Sequence, residues 1–216
     1  AKDMFSHRVS ILTGHYGTGK TEVSVNLALA LAAEGEQVML ADLDIVNPYF
    51  RSRERRPLLE KAGVRVISSS QACSDADVPA LPAELLTILE NREIRGILDI
   101  GGDPVGARVL ARFQPKIVQE DYQLIFVLNA NRPEVRDAES AAAYLRSIEA
   151  VTGLTCSGLV NNTHLCGETT PAEIRKGAAL AQEVSRQTGI PILCHTAERR
   201  FLESLSDLGE PVFPIA

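Results

Sequence analysis

Gly14-His15-Tyr16-Gly17-Thr18-Gly19-Lys20-Thr21 carries the complete pattern G-x-x-x-x-G-K-S/T. The chemistry of that pattern is anion binding. Glycines let the backbone wrap closely around phosphate oxygens, and the N–H groups that open a helix point at the anion. In such a loop Lys20 reaches β- and γ-phosphates, and the Thr21 hydroxyl goes to Mg²⁺. The candidate nucleotide contacts are therefore Gly14, Gly17, Thr18, Gly19, Lys20 and Thr21, with Glu22 directly after them.

Acids follow two other apolar runs. Asp42-Leu43-Asp44 ends one, and an i, i+2 pair in an extended chain projects to one side. A carboxylate there either caps the next turn or serves the phosphates, by holding a Mg²⁺-bound water or orienting an attacking water. Gly96-Ile97-Leu98-Asp99-Ile100-Gly101-Gly102-Asp103 is a Walker B pattern, in which Asp99 reaches Mg²⁺ through water. Its glycines let the backbone approach a γ-phosphate and move when it leaves. Asn162, in Val160-Asn161-Asn162-Thr163-His164, offers a donor and an acceptor to a purine edge, or else makes an Asx turn. The basic run of Arg51, Arg53, Arg55 and Arg56 is either a solvated helix start or a contact with phosphate or a partner.

These residues need elements to hold them. Short runs rich in Val, Ile and Leu predict strands at 9–13, 37–41, 64–68, 96–100, 123–129, 156–161 and 191–195, each read as covered on both faces. Helical patterns lie at 21–33, 82–91, 133–151, 170–188 and 197–208, several with proline at the start and glycine after the end. The alternation predicts an α/β, three-layer fold: a mostly parallel sheet of about seven strands with helices on both faces. Ligands of such sheets bind beyond the carboxyl ends of the strands, where the candidate residues fall. Residues 68–82 read as a surface loop, and 211–216 as a short tail.

Composition sets the outer bounds. A chain of 216 residues, 45% hydrophobic and 23% charged, is expected to form one domain spanning 1–216. The net charge of −6 argues against non-specific binding to nucleic acid. No apolar run is long enough to span a membrane, and residues 1–7 lack the apolar core of a secretory signal, so a cytoplasmic location is expected. The cysteines, Cys73, Cys156, Cys166 and Cys194, form no C-x-x-C pair. The last three lie in or beside strand-like runs and are expected to be buried, reduced thiols.

Together, the loop at 14–21, Asp42-Leu43-Asp44, Asp99-Ile100-Gly101-Gly102-Asp103 and Asn162 resemble the SIMIBI class of P-loop NTPases, most of all the MinD/ParA ATPases and the nitrogenase iron protein. The resemblance implies ATP and Mg²⁺ as cofactors. It implies that Lys20 and Thr21 bind phosphate and metal, that Asp42 assists the metal shell, and that Asp44 orients the hydrolytic water. It makes Asp99 the Walker B acid and Asn162 the adenine contact.

Two positions depart from that pattern. The family's loop reads G-K-G-G-x-G-K-S/T, and its first lysine reaches the phosphates of a second copy. This chain has His15 and Tyr16 there, so His15, Arg51 or Arg53 would have to supply the charge. The iron protein carries a cluster cysteine three residues after its second acid, where this chain has Gly106, so no iron–sulfur cluster is expected. The implied function is a slow ATPase acting as a nucleotide-state switch, with a homodimer or protein partner. A small-molecule kinase or ligase, and a module that holds ATP without turnover, are the alternatives.

Overall fold

In the computed structural model of this chain, the described residues are 1–43, 52–68, 83–135 and 137–216. The run Val9–Thr13 forms β1 and is buried along its whole length. β2 (Val38–Asp42), β3 (Arg65–Ser68), β4 (Arg95–Asp99), β5 (Tyr122–Leu128), β6 (Cys156–Asn161), β7 (Ile192–Glu198) and β8 (Val212–Ile215) complete one sheet. Its order is β3-β2-β4-β1-β5-β6-β7-β8, and every pairing is parallel. The helices are α1 (Lys20–Ala33), α2 (Ser52–Lys61), α3 (Ala83–Glu90), α4 (Pro104–Ile117), α5 (Ala138–Thr152) and α6 (Pro171–Thr188).

Adjacent residues of β1 enter different cores. Val9 and Ile11 pack with residues of α3, α4, α5 and α6, whereas Leu12 packs with α1 and Leu59 of α2. This is the period-two alternation of a sheet sandwiched between two helical layers. Because β1 lies between β4 and β5, the sheet has a switch point at its centre. The loops that follow β1, β4, β5 and β6 therefore meet beyond one end of the sheet.

Among the described residues there are eight strands rather than about seven. The extra strand is β8, within the segment read as a tail because of Pro211 and Pro214. A proline is tolerated on an edge strand, where one side of the backbone needs no partner. β8 also explains why 197–208 is not an α-helix. Ala197 and Glu198 are taken into the ladder opposite Pro214 and Ile215, and two short 3-10 turns, Arg199–Phe201 and Glu203–Leu205, carry the chain back to the edge.

The 133–151 pattern is likewise interrupted. A 3-10 turn covers Pro133–Val135, and α5 begins afresh where the Asp137 carboxylate accepts the Ser140 N–H at 2.8 Å. Helix α4 was absent from the sequence expectations. Gly106 and Pro115 obscure it, but Asp103-Pro104, an N-cap followed by proline in the first turn, marks its start. No helix among the described residues is long and apolar enough to cross a membrane.

Candidate functional site

The loop 14–19 leaves β1 at the switch point and runs directly into α1. Gly19 occupies the N-cap position with φ +81°, and Gly17 has φ +79°, both in the left-handed region that glycine enters without strain. No side chain caps α1, so its first N–H groups remain directed at whatever occupies the loop. The His15 carbonyl organises the interior. It accepts the Thr18 N–H at 3.3 Å, the Thr18 hydroxyl at 2.9 Å and Lys20 Nζ at 3.4 Å. Lys20 is only 6% exposed.

Two acids stand beside the start of α1. Asp42 and Asp99 end neighbouring parallel strands in register with each other, and both are buried. The Thr21 hydroxyl donates to Asp99 Oδ2 at 2.7 Å. A hydroxyl and two carboxylates make an all-oxygen donor set, the kind suited to a hard divalent cation. Asp44, expected to orient water, lies outside the described residues, as do Cys73, Arg51 and the side chain of Arg53.

Asn162 and Glu22 are both engaged within the protein. Asn162 Nδ2 donates to the Thr18 carbonyl at 2.8 Å and the Gly19 carbonyl at 3.4 Å, while Oδ1 accepts from the Thr196 hydroxyl. In this arrangement Asn162 clasps the loop, and its amide is not presented to a base. Glu22 accepts from Asn26 Nδ2 at 3.2 Å and from Arg55 of α2 at 3.3 Å. Both residues nevertheless line a cavity of about 470 Å³ together with Gly19, Thr21, His164 and Thr196.

A second cavity, of about 510 Å³, lies at the Lys20 side chain and is lined also by His15, Gly102, Asp103, Arg108 and Tyr144. The His15 and Tyr144 rings lie 4.9 Å apart at 44°. Tyr144 donates to the Gly102 carbonyl at 2.6 Å. Burial, and secondarily the nearby Asp103 charge, pushes the Tyr144 hydroxyl above its ordinary pKa, so it stays a donor.

Tyr144 and Arg132, whose Nε donates to the Gly17 carbonyl of the loop at 2.8 Å, were both missed in the sequence. Tyr144 gave no signal, because it sits mid-helix among alanines. Arg132 was findable, since it follows the end of β5 as the other candidates follow theirs. The expectation of buried thiols holds for Cys156 and Cys194, but Cys166 is exposed.

Residues 4–53 match the ParA family model described as NUBPL iron-transfer P-loop NTPase. Over the whole fold, the nucleotide-binding protein of Archaeoglobus fulgidus solved with ADP aligns with a TM-score of 0.53 at 19% identity, covering 96% of this chain and 88% of that one. FtsY of Thermotoga maritima aligns at 0.52 and 22% identity over 85% and 59%. The chain has the fold of P-loop NTPases and resembles the MinD/ParA family of the SIMIBI class. It lacks that family's signature lysine, having His15 instead.

Among curated relatives, this chain is 36% identical over 95 residues to the cytosolic Fe-S cluster assembly factor cfd1 of Emericella nidulans. It is 50% identical over 40 residues to the iron-sulfur cluster carrier protein of Escherichia coli. The matches cover 44% and 18% of this chain and only 26% and 11% of those relatives.

These names overturn the expectation of no iron–sulfur cluster. That expectation rested on Gly106 and on the spacing of the four cysteines. Gly106 lies in the first turn of α4, where an added Cβ would stand 1.9 Å from the Gly101 carbonyl oxygen. With the backbone as it stands there is no room for a side chain, so Gly106 is not a cluster ligand, which says nothing of a cluster held by other residues.

Proposed function

We propose that this P-loop NTPase binds ATP with Mg²⁺ and hydrolyses it slowly, as a nucleotide-state switch that acts in the handling of iron–sulfur clusters. The observation that carries the reading is the convergence of Lys20, Thr21, Asp99 and Asp42 at the start of α1. The loop N–H groups and Lys20 would bind the phosphates. Thr21, Asp99 and Asp42 would hold the metal, directly or through its waters. Mg²⁺ bound there would neutralise charge on the β- and γ-phosphate oxygens. Turnover would come from positioning and charge stabilisation, with water attacking the γ-phosphorus and ADP leaving. The segment 101–103, which lines the Lys20 cavity, would sense the γ-phosphate. The cluster enters as cargo, on the strength of the relatives' names.

The test is phosphate release from ATP and Mg²⁺, with the protein as isolated and after anaerobic reconstitution with iron and sulfide. Slow release that changes when visible cluster absorbance is present supports the proposal. Absence of nucleotide binding overturns it. The cavity at Lys20 also favours a second reading, phosphoryl transfer to a small acceptor. Phosphate release that stays negligible until a metabolite mixture is added, with consumption of ATP, would select that reading.

A further inference from the structure

The phosphate loop is held from outside as well as within. N–H groups that converge on an anion leave their carbonyls facing outward. Two of those carbonyls, Thr18 and Gly19, are taken by Asn162. The carbonyl of Gly17 is taken by Arg132, whose Nε donates to it at 2.8 Å. The guanidinium also lies flat against Gly17: an added Cβ there would stand 2.3 Å from Arg132 Cζ and 2.5 Å from its nearest terminal nitrogen.

Arg132 is itself firmly seated. Its N–H bonds to the Asn129 carbonyl at 3.0 Å, and its carbonyl accepts from Val135 at 3.2 Å. Its neighbour Asn131 is tied to the Asn129 side chain, the His164 carbonyl and Lys176. Among the described residues no carboxylate lies within ion-pair distance of Arg132. Its charge therefore adds to the positive field of the loop and of the α1 N-terminus rather than being spent on a neighbour.

We infer that Arg132 is a positioning residue for nucleotide binding: it fixes the loop through Gly17 and sets an uncompensated charge beside the polyphosphate. This rests on the reading of the loop as the nucleotide site. The ligand class is a nucleoside di- or triphosphate, and because the interaction is charge-assisted its loss is large.

The experiment titrates ADP and ATP against wild type, Arg132→Ala, Arg132→Gln and Arg132→Lys at low and high salt, with the melting point of each nucleotide-free protein. Expected is a loss of affinity in Arg132→Ala of roughly tenfold or more, shrinking at high salt. Arg132→Lys recovers part of it, Arg132→Gln recovers less, and methylguanidinium added to the Ala variant restores part of the binding. Unchanged affinity in Arg132→Ala and Arg132→Gln overturns the inference. So does a loss that tracks melting point in all three variants and is not relieved by methylguanidinium, because Arg132 then serves the fold alone. If wild type itself binds neither nucleotide, the proposed function fails before Arg132 is at issue.

Discussion

Tyr144, in the middle of α5, donates a 2.6 Å hydrogen bond to the carbonyl of Gly102, in the segment between β4 and α4. The His15 ring of the phosphate loop packs against the same ring, tilted at 44°. One side chain thus joins the loop that would hold phosphate to the segment that would sense it. Tyr144→Phe keeps the ring contact and removes only the bond. The expected cost is about 1 kcal/mol, read as a fall in melting point of about 2–4 °C. ATP turnover should change several-fold while ADP affinity stays near the wild-type value, because ADP lacks the phosphate that the Gly102 segment is proposed to sense. Measuring both constants on one preparation checks this. Equal change in the two would show that Tyr144 supports the loop and not the sensing segment.

Thr21 tests the proposed metal shell. Thr21→Val preserves shape and removes the hydroxyl that bonds Asp99. ATP binding in the presence of Mg²⁺ should weaken roughly tenfold or more, since the hydroxyl proposed for the metal shell is lost together with its bond to Asp99. Binding in EDTA should be nearly unaffected, and Thr21→Ser should restore the metal-dependent part. Calorimetric titration with and without Mg²⁺ reads the difference. Equal weakening in both conditions would remove Thr21 from the metal shell.

The legible parts of this chain are those whose signals are contiguous. β1, the loop and α1 follow one another in 25 residues, from an apolar run through the glycines to an alanine-rich helix. The partners that hold the loop come from far along the chain. Asn162 was findable because it ends a strand, yet its bonds to Thr18 and Gly19 depend on β6 lying two strands from β1. Tyr144 has no local signature at all, since its role exists only once α5 packs over Gly102. The C-terminal misreading has the same origin. Residues 197–198 fit a helical pattern locally, but pairing with β8 takes them into the sheet. Tertiary pairing overrides propensity at an edge that no local pattern announces.

Gly106 predicts a packing limit. An Ala there must move the Gly101 carbonyl or the first turn of α4, where Asp103 already bonds the N–H groups of Val105 and Gly106. Gly106→Ala should cost about 1–3 kcal/mol, with a melting point lower by about 2–4 °C per kcal/mol. Because Gly101 borders the Lys20 cavity, the displaced carbonyl should also lower ATP turnover. A variant as stable and as active as wild type would show that the turn relaxes freely and that Gly106 is not fixed by packing.

Cys194 and Cys156 make a prediction about pH. Burial pushes both thiols from 9.0 up to about 12, Cys194 with no opposing contact and Cys156 despite smaller opposing effects of its surroundings. The thiolate is the charged form, so the folded state disfavours it while the unfolded chain releases its proton at the ordinary value. The two thiols therefore leave stability unchanged below about pH 9 and lower it progressively from there to about pH 12. Reactivity follows the same line, because the thiolate is the nucleophile. Under native conditions near neutral pH, a maleimide should label the exposed Cys166 readily and leave Cys156 and Cys194 untouched until the protein is unfolded. Peptide mapping by mass spectrometry assigns the sites. Labelling of Cys194 at the rate of Cys166 would mean that the sheet edge formed by β7 and β8 opens far more often than its complete burial implies.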